Sequence, residues 1–356
     1  MVDPNLPGPS VRAAGPTLWA RCWRLLLGIA VSAFFLWLVV RKMDFHEAVA
    51  SLRQVNWLLT IPAVALFLAS FVLRAFRWQV LLHPVGRVGF TSSFRALMIG
   101  FMGNSIFPAR MGEFLRALVL IRRDRLRFES VFATIVIERL FDGYMLLIFL
   151  FAALLLAPLH GTGGSLLRTG IVFALVLYTG ALVGMLFLHH RKERTLAFFA
   201  RVLHWLPGHE RVIGSLEKFA TGLTIFSSLR QLGAVALWTL VVWVVSMAVV
   251  HPVIWAFPLG VHLPWYAPYV ITPIVALGVL IPSAPGYAGP YHAACVAAIL
   301  LLAPDADPNA SRAFAFVLHA LNMIPIIIVG MVFVWLEGLS LGDLSRKRLS
   351  PDGQGG

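Results

Sequence analysis

Cysteine is scarce in this chain, which has only two in 356 residues. Cys22 and Cys295 are far apart in the sequence, and each lies in or beside an apolar segment. A disulfide framework needs several paired cysteines, and a zinc site needs closely spaced ligands, so neither is indicated. The sequence therefore gives no support for a metal, a redox role or any cofactor.

Charge is also scarce: 13% of the residues are charged and 59% are hydrophobic, with a mean hydropathy of +0.84. A soluble domain has about twice that share of charged residues. The composition therefore predicts an all-α integral membrane protein. Acidic residues are fewer than basic ones, 16 against 29, but the basic residues lie in short segments beside apolar runs. This pattern excludes a nucleic-acid partner and favours anionic lipid headgroups.

Long apolar runs, by contrast, are abundant. Six are long enough to cross about 30 Å of hydrocarbon, namely residues 23–40, 57–73, 131–157, 169–188, 234–256 and 313–336. The first is followed by Arg41 and Lys42 rather than by a small-residue cleavage site, so it is interpreted as an uncleaved anchor.

Two further apolar segments are broken and fit poorly as straight spans. Residues 96–108 are short and contain two glycines, Asn104 and Pro108, and residues 267–303 contain Pro-Ser-Ala-Pro-Gly in their middle. Helices do not run straight through such sequences. Broken backbone is tolerated at membrane depth only where protein or a polar cavity shelters it. Both segments are therefore predicted to be re-entrant.

The distribution of Lys and Arg predicts the topology. Most of these residues lie before residue 25, in 74–130, in 189–233 and after residue 340. By the positive-inside rule, both termini are cytoplasmic and the two broken segments enter from opposite sides. An opposed pair of this kind is typical of inverted-repeat transporters with a site near the midplane. The domain is predicted to span residues 19–340, between a disordered tail at 1–18 and a polar tail at 341–356.

The first candidate site follows the first broken segment. Its residues are Asn104, Pro108, Arg110, Gly112, Glu113 and Arg116. An arginine fork fits two phosphate oxygens, and a broken helix presents backbone N–H groups to the same anion. A lipid phosphate is the predicted ligand. The alternative is that Arg110 and Arg116 are ordinary basic residues at the cytoplasmic interface.

Three charged residues lie inside the third predicted span: Glu138, Arg139 and Asp142. A charged residue such as Asp or Arg costs roughly 2.5 to 3.5 kcal/mol of insertion free energy at the centre of a span. These residues are therefore expected either to form ion pairs or to have a functional role. Arg139 can reach Asp142 three positions away, which would leave Glu138 as a free acid able to meet Arg110, Arg116 or a proton. The alternative is a self-neutralising cluster that holds helices together.

The second broken segment carries the other candidate residues. Pro285, Gly286 and Gly289 allow a headgroup or another backbone to approach closely, and His292 follows as the titratable side chain of this segment. A packed or interfacial histidine is the alternative for His292.

The candidate residues thus form three blocks: those after the first broken segment, those in the third span and those in the second broken segment. In their order and spacing, these blocks resemble the lysylphosphatidylglycerol synthase transmembrane-region family, also called flippase-like membrane proteins, over residues 20–340. In bifunctional relatives this region flips an aminoacylated phospholipid that a soluble domain synthesises. Only about 20 polar residues follow the last span here, so the resemblance does not imply synthase activity. Family members often carry an acid after the Pro-Gly-x-x-Gly block, whereas this chain has His292, so the relatives' substrate is not carried over.

The sequence thus predicts a lipid flippase or lipid transporter of the inner membrane, not an enzyme, that moves an anionic or phosphate-bearing amphiphile between leaflets. A lipid-synthesising enzyme encoded separately is the expected protein partner, and no oligomeric state is assigned. Two alternatives stay open. One is a membrane-embedded lipid-modifying transferase, which would need a metal-binding acid cluster or a catalytic loop at the membrane face. The other is a non-transporting scaffold for lipid synthesis.

Overall fold

The fold is described by a computed structural model that covers residues 18–41, 43–107, 110–124, 126–156, 162–205, 209–223, 228–259, 262–281 and 283–339. These residues form helices and connecting turns without a β-strand. The predicted all-α membrane fold is therefore confirmed. The predicted tails, 1–18 and 341–356, lie outside this coverage apart from Leu18.

The first half of the chain contains a long helix, a short amphipathic one, and then a second long helix that leads into two shorter helices and another long one. Their bounds are α1 Leu18–Val40, α2 Phe45–Arg53, α3 Thr60–Leu82, α4 Phe90–Ile106, α5 Gly112–Asp124 and α6 Phe128–Leu156. A 3₁₀ turn, Trp57–Leu59, precedes α3.

The second half begins with a long helix and two short basic ones. Their bounds are α7 Thr162–His190, α8 Lys192–Leu203 and α9 His209–Gly222. The remaining helices are α10 Leu229–Ala248, α11 Val250–Ala256, α12 Ala267–Gly278, α13 Pro290–Leu302 and α14 Pro308–Leu336.

Five segments of the described chain are long and apolar enough to cross a membrane: Trp57–Leu82, Val172–His190, Leu229–Ala256, Pro285–Leu302 and Pro308–Leu336. Four of them coincide with predicted spans. The other two predicted spans, 23–40 and 131–157, fall on α1 and α6. The fifth segment, Pro285–Leu302, is interrupted because Gly286 has a φ of 78°. Its continuous part, α13, has 13 residues and at 1.5 Å per residue reaches only about 20 Å.

The first predicted re-entrant segment forms a helical hairpin. Helix α4 ends at Ile106, and α5, which begins at Gly112, packs back along it. Three glycines permit this close approach: a Cβ at Gly112 would lie 1.8 Å from the Gly100 carbonyl oxygen, and one at Gly103 would lie 3.0 Å from the Gly112 Cα. The two backbones therefore touch directly, as helices do in membranes where small residues face each other.

The second predicted re-entrant segment forms a matching hairpin from α12 and α13. Here a Cβ at Gly278 would lie 2.6 Å from the Ala294 Cβ. The turn between the arms needs left-handed backbone at Gly286, Tyr287 and Gly289. Two of these three positions are glycine, the residue that adopts such backbone without strain.

The tips of the two hairpins meet. A Cβ at Gly286 would lie 3.6 Å from the Ser105 carbonyl oxygen, and Arg110 Nη2 donates to the Val279 carbonyl oxygen at 3.1 Å. The order of elements also repeats, because α3, the first hairpin and α6 are followed by α10–α11, the second hairpin and α14. This duplicated order is consistent with the internal repeat that the sequence predicts.

Candidate functional site

Helix α3 brings two arginines into the protein interior that the sequence analysis assigned to the cytoplasmic segment 74–130. The apolar run ends at residue 73, but α3 continues to Leu82. Arg74 is 8% exposed and Arg77 is fully buried. The sequence did contain a signal for this burial. Apolar residues continue on both sides of the two arginines, and Phe71, Ala75 and Trp78 form one buried face of the helix.

Glu138 on α6 is the centre of a buried ion-pair cluster. Arg116 of α5 donates from both terminal nitrogens to its two oxygens, at 3.0 and 2.8 Å. Arg77 approaches Glu138 Oε1 at 3.0 Å and Arg139 donates to the same oxygen at 2.5 Å. The Arg116 guanidinium also lies over the Trp78 ring, 3.6 Å from its centroid. One carboxylate thus joins α3, α5 and α6.

Asp142, one turn further along α6, is held in a similar way. Both terminal nitrogens of Arg77 donate to it, at 2.5 and 3.2 Å. Trp243 Nε1 on α10 donates to Asp142 Oδ1 at 2.9 Å. Arg77 also donates to the Thr239 hydroxyl at 3.2 Å. The cluster therefore extends to α10.

The predicted pair of Arg139 with Asp142 is present at 3.5 Å. The prediction that Glu138 would be left as a free acid is wrong. Arg116 reaches Glu138 from α5, which is one of the pairings that the sequence analysis allowed. Arg77 reaches it from α3, and spacing along α6 could not show this. Among the alternatives, the buried cluster that joins helices is the arrangement observed for Glu138.

Residues of the first hairpin tip contact this cluster through Glu113. Arg139 Nε lies 3.8 Å from Glu113 Oε1, and Asn104 Nδ2 donates to the same oxygen at 3.3 Å. Gly112 lies in the contact between α4 and α5 and does not line the cavity described below. Pro108 lies outside the described residues.

A cavity of about 350 Å³ adjoins the cluster. Its charged lining residues are Arg74, Arg110, Arg139 and Asp142, and its polar ones include Ser70, Ser246, Thr272, Tyr291 and Asn322. The rest of the wall is mostly apolar, with Leu146, Ile271, Val275 and Leu318 among its residues. Arg116 and Glu138 do not line it, so Arg116 is placed behind the wall and not at the predicted headgroup position.

Two of the cavity arginines have no ion pair within the described residues. Arg74 Nη2 donates to Ser246 Oγ at 3.1 Å, and its guanidinium lies 5.4 to 5.8 Å from the ring centroids of Trp243, Phe101 and Phe71. Arg110 is exposed and lies over Tyr287 at 5.8 Å. Both guanidinium groups therefore keep donors that an anion in the cavity could accept.

The candidate residues of the second hairpin form a separate group. His292 is buried, and its Nδ1 accepts from the Gly289 N–H at 3.1 Å. His319 of α14 is 2.7 Å from the Gly286 carbonyl oxygen. Pro285, Gly286, Gly289 and His292 thus shape the tip that meets the first hairpin, and they do not line the cavity.

Comparison with known proteins extends this picture. The sequence profile of the lysylphosphatidylglycerol synthase transmembrane region matches residues 25–330. The chain belongs to this family. The match includes both hairpins, the ion-pair cluster and the cavity, and it identifies the chain as a multi-pass membrane protein of the flippase-like type.

One relative of this family member is a protein named glycosyltransferase AglD from Haloferax volcanii. The two are 29% identical over 348 residues, covering 86% of this chain and 53% of the relative. The chain thus spans about half the length of that protein. No solved structure matches the chain.

Proposed function

We propose that this family member moves an anionic, phosphate-bearing lipid between the leaflets of the inner membrane without altering it chemically. The supporting observation is Arg74, a buried arginine on the cavity wall whose described contacts include no carboxylate. A buried charge without an ion-pair partner is costly in a membrane domain and points to a functional site. An anionic headgroup would supply the missing charge.

The charge balance around the cavity supports an anionic ligand. The described arginines in or beside it are Arg74, Arg77, Arg110, Arg116 and Arg139, and the described carboxylates are Glu113, Glu138 and Asp142. The set therefore has two more positive than negative charges. A phosphate monoester carries a charge of about −1.5 to −2 at neutral pH. One such monoester would nearly neutralise the site, and its oxygens fit guanidinium forks.

Each arginine of the cavity has a different role in this proposal. Exposed Arg110, at the hairpin tip, would meet the phosphate first, and Arg74 would hold it against Ser246 and the aromatic rings. Arg139 keeps its carboxylate partners when the site is empty and offers its fork to the arriving phosphate. Apolar wall residues would face the acyl or prenyl chain.

Arg74 and Arg77 form a matched test pair, since they lie three residues apart on α3. The Arg74→Gln protein is expected to fold normally and to lose lipid movement, because Arg74 forms no ion pair with a described carboxylate. The Arg77→Gln protein is expected to be destabilised by about 3 to 5 kcal/mol, because Asp142 and Glu138 lose a buried partner. Thermal stability in detergent and leaflet exchange in proteoliposomes measure the two effects.

The lipid itself can be identified by native mass spectrometry of the purified protein. Wild type is expected to retain a phosphate-bearing lipid that Arg74→Gln loses, and that lipid then becomes the probe for leaflet exchange. Recovery of only neutral lipids without phosphate would contradict the anionic-headgroup proposal. Equal exchange rates for wild type and Arg74→Gln would show that the lipid does not pass through this cavity.

We also propose that both termini and the α8–α9 segment face the cytoplasm, as the Lys and Arg distribution indicates. In a protein without Cys22 and Cys295, a cysteine introduced at Ala200 on α8 should react with an impermeant maleimide only after the inner face is exposed. Labelling of Ala200→Cys in intact cells would contradict this topology and place α8 on the outer side.

Two other functions remain candidates. The name of the Haloferax relative is compatible with a lipid-modifying transferase, and a partner enzyme that makes the lipid is compatible with a scaffold. Within the described cavity wall the carboxylate is Asp142, which two arginines and Trp243 already engage. A mass change of the lipid during exchange would favour the transferase, and unchanged lipid synthesis in cells carrying Arg74→Gln would favour the scaffold.

A further inference from the structure

A second cavity lies between the C-terminal part of α7, helix α8 and the middle of α9. It is a groove of about 670 Å³. Its wall is mostly apolar and includes Ala181, Gly184, Met185, Phe187, Leu188, Phe198, Phe199 and Leu216, with Arg191, Arg194 and Thr195 at one end. The groove shares no lining residue with the central cavity.

The groove exists because α7 has small residues on this face. A Cβ added at Gly184 would meet nothing within 4 Å, and Ala181 lies about one turn earlier on the same face. The apolar span Val172–His190 ends immediately before Arg191. The groove therefore begins on the apolar part of α7 and reaches the basic turn that follows it.

The two arginines at the end of the groove carry unneutralised charge. Neighbouring Lys192 donates to Glu217 at 2.8 Å, which lowers the pKa of that carboxyl. Arg191 and Arg194 have no carboxylate within 4.0 Å among the described residues, and both are exposed. The basic end of the groove is thus complementary to an anion.

Helix α8 has the properties of a helix that lies in a membrane interface. Phe198 is 61% exposed and Trp205, just beyond its end, is 71% exposed, while Arg194 and Arg201 supply positive charge. A basic helix with exposed aromatic residues binds the headgroup region of an anionic leaflet. With α8 in the interface, the groove would open at the level of the phospholipid phosphates.

We propose that this groove is a binding site for an anionic phospholipid of the surrounding bilayer, with one acyl chain along Gly184 and its phosphate on Arg191 and Arg194. This lipid is distinct from the cargo of the central cavity. The same helix α7 carries Tyr178, which lines the central cavity and covers Gly143 of α6, where an added Cβ would lie 1.8 Å from the ring. The bound lipid would hold α7 in this position.

The acyl-chain contact is tested by filling the groove. Gly184→Leu places a side chain in the empty space, whereas Gly180→Leu adds the same side chain one turn earlier, also in open space but outside the groove. Delipidated protein is titrated with phosphatidylglycerol and analysed by native mass spectrometry. We expect Gly184→Leu to lose one bound phosphatidylglycerol and Gly180→Leu to retain it, with unchanged elution in size exclusion for both.

The phosphate contact is tested with charge variants of the same stretch. Arg191→Gln and Arg194→Gln should each weaken phosphatidylglycerol binding by about fivefold, since a basic residue near an anionic surface contributes about 1 kcal/mol. Arg201→Gln, on the same helix but outside the groove, should have no such effect on this site.

Three results would overturn the proposal. They are full phosphatidylglycerol occupancy in Gly184→Leu, equally tight binding of zwitterionic phosphatidylcholine, and occupation of the groove by a co-purified protein instead of lipid. Because Arg74→Gln leaves the groove intact, phosphatidylglycerol binding here should persist in that variant. Failure of the cargo proposal and failure of the groove proposal are therefore distinguishable.

Discussion

Replacement of Glu138 by glutamine is expected to lower the free energy of unfolding by about 3 to 5 kcal/mol. The substitution keeps the shape of the side chain but removes the negative charge that Arg116, Arg77 and Arg139 share. All three guanidinium groups would then compete for Asp142 and Glu113 in a dry interior. A purified Glu138→Gln protein should show a large fall in its melting temperature.

The control for this substitution lies on the same helix. Glu129 pairs with Lys218 at 3.4 Å near the surface, so Glu129→Gln should cost at most about 1 kcal/mol. A double replacement, Arg116→Met with Glu138→Met, removes one positive and one negative charge together and should be more stable than Glu138→Gln. Wild-type stability of the single Glu138→Gln protein would show that Glu138 does not hold the cluster together.

Gly112→Ala is the second substitution with a large expected effect. The added Cβ would lie 1.8 Å from the Gly100 carbonyl oxygen and 2.5 Å from the Asn104 nitrogen. Both obstacles are backbone atoms, so no rotamer change relieves the contact and α5 must move away from α4. Overpacking alone costs about 1 to 3 kcal/mol. Arg116 follows one turn later on α5, so the movement would also strain its pair with Glu138.

A glycine elsewhere in the chain supplies the matched control. Gly233 lies in α10, and a Cβ there would meet nothing within 4 Å. Gly233→Ala should leave stability unchanged or raise it by up to about 1 kcal/mol, because alanine favours helix over glycine. Thermal denaturation of the two variants in the same detergent gives the comparison. Equal melting temperatures for Gly112→Ala and wild type would mean that the hairpin arms are not in direct contact.

The two hairpins show which features of this fold can be predicted from local sequence. The clusters of Gly, Asn and Pro in residues 96–108 and of Pro and Gly in the middle of residues 267–303 were enough to predict two re-entrant elements, because such clusters disfavour one continuous helix. The meeting of the tips follows from the same reasoning, since unpaired backbone inside a membrane must be covered. The direct contact of Gly112 with Gly100 was not predicted.

The partners of the charged residues could not be obtained in this way. Arg77 and Asp142 are 65 positions apart, and Arg116 and Glu138 are 22 apart. Hydropathy ended the predicted span before Arg74, because a charged residue lowers the average whether or not a partner neutralises it. Arg74 and Arg77 were therefore assigned to a cytoplasmic segment, although both are buried.

The sequence alone determined the membrane class, the two helix breaks and the resemblance to the family, because each depends on residue type and on spacing along the chain. Only the tertiary structure decided which arginines neutralise Glu138 and Asp142 and which remain available in the cavity. Ion pairs in a medium of low dielectric constant form between opposite charges that folding brings within a few ångströms. That proximity is set by how α3, α5, α6 and α10 pack, and not by the order of residues within any one of them.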